Sequence, residues 1–96
     1  MSLQVFYTPR SKETLQAVYD FIDNKFGIRS SDKFISKADK IIVLISEQPF
    51  MFRASTLDDK IRIALITRQC SLFYRITETS VHLLFFWDNR QDPIFL

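Results

Sequence analysis

The sequence predicts one soluble α+β domain in which a strand, two helices and three further strands follow in order, with an antiparallel sheet packed on the helix pair. Apolar residues recur at helical spacing through the first half of the chain, and alternation with period two dominates the second half. Strands joined by short turns pair antiparallel, and a helix pair needs an apolar sheet face to cover. A chain of 96 residues is too short for two separate cores, so residues 1–96 are expected to form a single domain.

The first predicted strand is short. Leu3, Val5 and Tyr7 share one face of it, since successive side chains of a strand point to opposite sides. Pro9 follows and is expected to end it.

Two helices are predicted next. The first has Ser11 as its N-cap and stops at Gly27, and its apolar stripe contains Leu15, Val18, Ile22 and Phe26. The second has Ser30 or Ser31 as its N-cap and is stopped by Pro49, and its apolar stripe contains Phe34, Ala38, Ile41, Ile42 and Ile45. The connection between them is short, which predicts an antiparallel hairpin.

Three strands complete the chain after a predicted loop at residues 50–58, which Phe50 and Phe52 are expected to anchor. In the first of these strands, Ile61, Ile63 and Leu65 alternate with Lys60, Arg62 and Ala64. In the second, Leu72, Tyr74 and Ile76 alternate with Phe73, Arg75 and Thr77. In the third, Val81, Leu83, Phe85 and Trp87 alternate with His82, Leu84 and Phe86. Both faces of the third strand are apolar, which predicts an interior position in the sheet.

Composition excludes several classes of function. The single cysteine, Cys70, allows neither an internal disulfide nor a multi-cysteine metal site, and one histidine with scattered acids supplies no convergent ligand set. We therefore expect no metal and no cofactor. No segment resembles a signal peptide or has membrane-spanning length, which predicts a cytoplasmic protein without a membrane partner.

Positive charge is mild overall but unevenly distributed. The net charge is +2, residues 1–49 hold five lysines and two arginines, and residues 50–96 hold five arginines and one lysine. Guanidinium groups suit phosphate and carboxylate, so the second half is the better candidate for binding an anion. The alternative is that these arginines only keep exposed strand positions polar.

The basic side chains of the second half are the candidate site. Lys60 and Arg62 share a strand face, Arg75 lies on the next strand, and Arg90 follows the last one. If they converge, they form a patch able to hold a phosphate chain, with Tyr74 or Phe86 available to stack on a base. Arg68 and Trp87 complete the candidate binding residues, whereas His82 is interpreted as a hydrogen-bonded sheet histidine.

The chain resembles the RelE/ParE superfamily of bacterial toxins, especially members known as plasmid-stabilisation proteins. The resemblance rests on the element order, on Lys-Ile-Arg at residues 60–62, on Tyr-Arg-Ile at residues 74–76, and on the Trp-Asp-Asn-Arg-Gln-Asp-Pro ending at residues 87–93. It covers nearly the whole chain. It implies a growth-inhibiting toxin of a type II toxin–antitoxin module, held inactive by a cognate antitoxin and compatible with a homodimer or a heterotetramer with that antitoxin.

Two cellular targets are implied by the resemblance. RelE-like members cut messenger RNA on the ribosome, and Lys60, Arg62 and Arg90 match their basic catalytic residues. ParE-like members poison DNA gyrase by binding. A further nuclease arginine falls near Ser71, and Phe95 lacks the hydroxyl of a nuclease tyrosine. These departures favour the ParE-like branch, while the nuclease and a degenerate toxin that only binds its antitoxin stay open as alternatives.

Overall fold

The helices and strands follow the predicted order, with one short strand added. The computed structural model describes residues 2–90. Its elements are β1 (Gln4–Tyr7), α1 (Pro9–Phe26), α2 (Ile28–Glu47), β2 (Arg53–Ala54), β3 (Ile61–Thr67), β4 (Cys70–Ile76) and β5 (Ser80–Asp88). The additional strand β2 lies within the segment predicted as a loop and pairs antiparallel with the start of β3.

The sheet has five strands in the order β1-β5-β4-β3-β2. Strands β3, β4 and β5 are antiparallel, as predicted, and β2 also pairs antiparallel with β3, whereas the edge strand β1 runs parallel to β5. The predicted interior position of the last strand is confirmed, because β5 lies between β1 and β4. Within residues 2–90, neither helix is long and apolar enough to cross a membrane.

Both helices begin earlier than predicted. Thr8, not Ser11, caps α1: its hydroxyl oxygen accepts a hydrogen bond from the Ser11 amide at 3.2 Å, and Pro9 occupies the first turn, where its missing N–H costs nothing. Gly27 alone connects the two helices. It is the N-cap residue of α2, and no side chain caps this helix. Its φ of 94° is the conformation that glycine adopts without strain, which explains the turn at this position.

The core lies between the helix pair and one face of the sheet. Helix α2 contributes Phe34, Ala38, Ile42 and Ile45, all from its predicted apolar stripe. From α1, Leu15, Val18 and Ile22 pack against this core, but the fourth residue of the predicted stripe, Phe26, is 60% exposed.

The face of the sheet that meets the helices differs from a strict alternation because two strands contain bulges. Along β5, Phe85 pairs with Phe73 and Leu83 pairs with Tyr74, so Leu84 is an extra residue. The bulge places Leu83 and Phe86 in the core, while Phe85 lies on the other face. In β3, Arg62 and Ala64 lie on the face that meets the helices. Ile66 is the extra residue of a second bulge, and it also lies in the core. On β4, the alternating residues Leu72, Tyr74 and Ile76 all lie in the core.

Candidate functional site

Lys60 and Arg62 lie together at the start of β3, as predicted. The Lys60 ammonium is 5.2 Å and the Arg62 guanidinium carbon 5.0 Å from the ring centroid of Phe50. Phe50 is 51% exposed, so it is not the buried anchor that the sequence predicted. The two cations instead lie against an exposed aromatic ring, a favourable electrostatic arrangement.

The Arg62 guanidinium donates hydrogen bonds to main-chain carbonyls. Its Nε donates to the carbonyl of Asp59 at 2.8 Å, and one terminal nitrogen donates to the carbonyls of Phe50 at 3.2 Å and Phe52 at 3.0 Å. These bonds hold the loop before β2 to the turn before β3. Arg62 therefore acts as a clamp on this loop, and only its other terminal nitrogen has no partner among the described residues.

Arg75 lies on the opposite face of the sheet from Arg62. It pairs across the ladder with Ile61, whereas Arg62 pairs with Tyr74, and adjacent positions of a strand point to opposite faces. The Arg75 guanidinium forms an exposed ion pair with Asp58 at 3.1 Å. The pKa of the Asp58 carboxyl is lowered, first by the Lys60 amide that donates to it and then by Arg75.

Arg90 lies just past the end of β5 and forms a two-pronged ion pair with Asp88. Its Nε and one terminal nitrogen donate to the two carboxylate oxygens at 3.0 and 2.9 Å. This pairing lowers the pKa of Asp88 and raises that of Arg90. The guanidinium also lies over the ring of Phe21 in α1, 4.8 Å from its centroid. Arg90 is thus held at a junction between the sheet and the first helix.

The same end of the sheet contains Arg68 and Trp87. The Asn89 amide donates to the Gln69 carbonyl at 2.7 Å, and the Asn89 side chain donates to the Arg68 carbonyl at 3.3 Å. These bonds tie the segment of Arg90 to the turn between β3 and β4. Ser71 is buried, and its hydroxyl donates to the Asn89 side-chain oxygen at 3.1 Å.

The basic residues of the second half do not meet the condition of converging on one surface. Arg62 belongs to the ladder row of Tyr74, and Asp88 belongs to the row of Cys70. These rows are four residues apart along β4 (74 − 70), or roughly 13 Å at the usual rise of a strand. Arg90 lies beyond Asp88, farther from Arg62 still. The structure therefore brings Lys60 and Arg62 together, places Arg90 at the end of the sheet near the turn between β3 and β4, and places Arg75 on another face.

The predicted stacking residues are not accessible. Tyr74 is 0% and Phe86 is 3% exposed, because both side chains belong to the core. The Tyr74 hydroxyl donates to the Pro49 carbonyl at 2.6 Å, and burial raises the pKa of Tyr74. Tyr74 thus ties the end of α2 to the sheet. His82 stacks on Phe6, and its Nε2 lies 3.0 Å from the Ser80 hydroxyl, which agrees with its interpretation as a hydrogen-bonded sheet histidine.

Phe21 and Phe50 are the site residues that the sequence analysis missed as cation partners. Phe21 lies within one helical turn of Ile22 and Val18 but points outward, with 43% of its surface exposed. The predicted ending beyond Arg90, including residues 91–93 and Phe95, lies outside the described residues.

Comparison with known proteins gives one family match. The sequence matches the model of the family described as the ParE toxin of the type II toxin–antitoxin system parDE over residues 5–93. No curated protein sequence matches.

Solved structures share the fold at low sequence identity. A structure of the chromosomal ParDE system from P. aeruginosa aligns with a TM-score of 0.75 and 13% identity, covering 91% of this chain and 96% of the other. The E. coli DinJ-YafQ toxin–antitoxin complex aligns with a TM-score of 0.66 and 8% identity, covering 94% and 96%. The YoeB dimer from Staphylococcus aureus gives 0.60 and 11%, covering 88% and 94%. The family match spans nearly the whole chain, and the neighbours have the predicted architecture. The chain belongs to the ParE toxin family of type II toxin–antitoxin systems, within the RelE/ParE superfamily.

Proposed function

We propose that this chain arrests growth by binding DNA gyrase, with Arg90 and its surroundings as the contact, and that it is not a messenger-RNA nuclease. The observation that carries the proposal is the separation of Arg90 from Lys60 and Arg62. A nuclease needs its cations around one scissile phosphate, within a few ångströms of the reacting atoms. The match to the ParE family supports the same choice.

The occupation of Arg62 is a second argument against cutting. A guanidinium stabilises the charge that develops on a phosphorane when its N–H donors point at the phosphate oxygens. Arg62 instead donates to three main-chain carbonyls. Among the described residues, only one terminal nitrogen of Arg62 is left to serve a phosphate while the other donors hold the loop. Arg90 is better placed for a protein partner, because its ion pair with Asp88 is exposed and an acidic group of the partner can replace that carboxylate.

The proposal is tested with purified chain, purified gyrase and supercoiled plasmid, measuring linear DNA released from trapped gyrase complexes. We expect linear DNA to accumulate with the natural chain and to fall to the background level with Arg90→Ala. Arg53→Ala removes an arginine from the far edge of the sheet and is the matched control, which should behave as the natural chain does. Growth arrest without trapped gyrase would overturn the proposal, as would equal trapping by Arg90→Ala. A chain that neither arrests growth nor traps gyrase would be a degenerate toxin.

A further inference from the structure

The outer edge of β1 carries backbone groups that have no partner among the described residues. The Thr8 amide donates to the Leu83 carbonyl of β5 at 3.2 Å, and successive residues of a strand turn their N–H and C=O groups to opposite edges. The N–H and C=O groups of Val5 and Tyr7 therefore point away from β5, and residues 2–90 supply no hydrogen bond to them. A second strand can bind along this edge.

The edge of β1 lacks the charges that usually keep the edge strands of proteins apart. Residues 2–9 contain no charged side chain, whereas β2, at the other edge of the sheet, has only two residues and carries Arg53. On β1, Phe6 and Tyr7 are 42% and 38% exposed. An uncharged edge strand with exposed aromatic rings is a template for pairing with another strand.

We infer that β1 pairs with β1 of a second copy of this chain, antiparallel and about a two-fold axis at Phe6. In this register Val5 lies opposite Tyr7 of the second copy, and the two residues exchange both N–H···O bonds. The symmetry repeats the exchange on the other side of the axis. Every outward N–H and C=O group of Val5 and Tyr7 is then paired in both copies.

The neighbouring symmetric registers leave groups unpaired. An axis at Val5 places Tyr7 opposite Leu3, whose amide already donates to the Ser46 carbonyl of α2 at 2.8 Å. An axis at Tyr7 places Val5 opposite Pro9, which has no N–H to donate. The hydrogen-bonding groups of the edge are therefore self-complementary about Phe6, and this is what assigns the edge to a second copy.

The same register brings aromatic rings together on the face of the sheet that is turned away from the helices. Phe6 lies directly opposite Phe6 of the second copy, in a pair whose Cα atoms are about 4.5 Å apart. Within one chain, the Phe6 ring already stacks on His82, with centroids 5.1 Å apart and planes at 18°. Pairing therefore continues this stack across the axis and covers exposed apolar surface of Phe6.

The paired edge leaves Arg90 uncovered. Strand β1 pairs with β5 only as far as Leu83, and Arg90 follows the end of β5. The dimer thus carries two copies of the proposed gyrase contact. The inference goes beyond the proposed function and does not depend on it.

Sedimentation velocity of the full chain over a range of concentrations measures this association. Edge pairing of such short strands covers less than about 1,000 Å², which gives a weak dimer. We expect the mass to rise with concentration from the 11.4 kDa of one chain towards twice that value.

Two variants locate the edge. Phe6→Lys removes the ring pair and sets two ammonium groups against each other, and Tyr7→Pro removes an outward N–H while leaving the bonds to β5 in place. Each should weaken the dimer at least about tenfold. The control Leu65→Lys makes the same change at an apolar residue of the same sheet face that is 56% exposed, and it should leave the association unchanged.

A cysteine at the axis tests the register. In Phe6→Cys the two thiols face each other at a Cα separation that a disulfide can span, so mild oxidation should link the two copies. Gln4→Cys is the control on the same face of the strand, because the symmetry places its two thiols four residues apart (2 × (6 − 4)), or roughly 13 Å. Cys70 is buried and should not react.

A chain that stays monomeric at every concentration would overturn the inference. Association that neither edge variant weakens, or that Leu65→Lys weakens equally, would place the interface elsewhere. Cross-linking of Gln4→Cys as readily as Phe6→Cys would refute the register. Circular dichroism checks that each variant is folded, and if one edge variant is not, the other and the cysteine pair decide. None of these measurements uses gyrase, so failure of the inference is distinguishable from failure of the proposed function.

Discussion

Replacing Arg62 with alanine tests whether its side chain stabilises the loop that contains Phe50 and Phe52 or is free to bind a phosphate. In the structure its guanidinium donates to the carbonyls of Asp59, Phe50 and Phe52. Water can replace the two exposed bonds, but the bond to Phe52 is partly buried. Since a net hydrogen bond contributes about 1 kcal/mol, and somewhat more from a charged donor, we expect a loss of about 1–2 kcal/mol in the free energy of unfolding. For a domain of this length, that lowers the melting temperature by roughly 5–15 °C.

Circular dichroism during thermal unfolding measures this effect. Arg75→Ala is the matched control, because its ion pair with Asp58 is exposed on both sides and solvent-exposed ion pairs contribute little to stability. Arg62→Lys keeps the charge but lacks the planar fork, so it should recover little of the lost stability. An Arg62→Ala variant as stable as the Arg75→Ala variant would refute the clamp and leave Arg62 free for a phosphate.

Three further outcomes follow from the packing. Tyr74→Phe removes the hydroxyl that donates to the Pro49 carbonyl and should lower the free energy of unfolding by about 1 kcal/mol in urea titrations; an unchanged midpoint would contradict the contact. Thr8→Ala removes the N-cap and a 2.7 Å bond to the Leu83 carbonyl and should cost about 1–2 kcal/mol, measured in the same way, whereas a neutral effect would show that Thr8 does not cap α1. Burial raises the pKa of Cys70 to about 12, so the thiol stays neutral in the folded state at pH values at which it has ionised in the unfolded state. The contribution of this thiol to the free energy of unfolding should be fully present below about pH 8.5 and should fall as the pH rises towards 12. Cys70→Ala should remove that fall without removing the remaining pH dependence.

The order of the elements and much of the core follow from periodicity alone. Phe34, Ala38 and Ile45 recur at helical spacing and are buried, and Leu72 and Tyr74 alternate at strand spacing and are buried. These positions were predictable because a two-layer fold needs one apolar stripe on the helices and one apolar face on the sheet. Gly27, the single glycine, correctly marked the boundary between the helices.

The candidate site was less predictable, because it depends on single-residue shifts. The bulge at Leu84 moves Phe85 to the face opposite Leu83, and a count of alternating residues carries no signal for it. Arg62 lies on the same face of β3 as Ala64, which is buried in the core, and not on the face of the more apolar Ile61, Ile63 and Leu65. Its preference for carbonyl partners depends on the path of the loop at Phe50 and Phe52, which has no periodic pattern.

The most direct measurement of the central claim maps the ends of messenger RNA in cells arrested by expression of the natural chain. We propose that Arg90 lies too far from Lys60 and Arg62 for the three to act on one phosphate. We therefore expect no new messenger-RNA ends within translated codons during the arrest. Codon-specific ends that disappear when both Arg62 and Arg90 are replaced with alanine would contradict it.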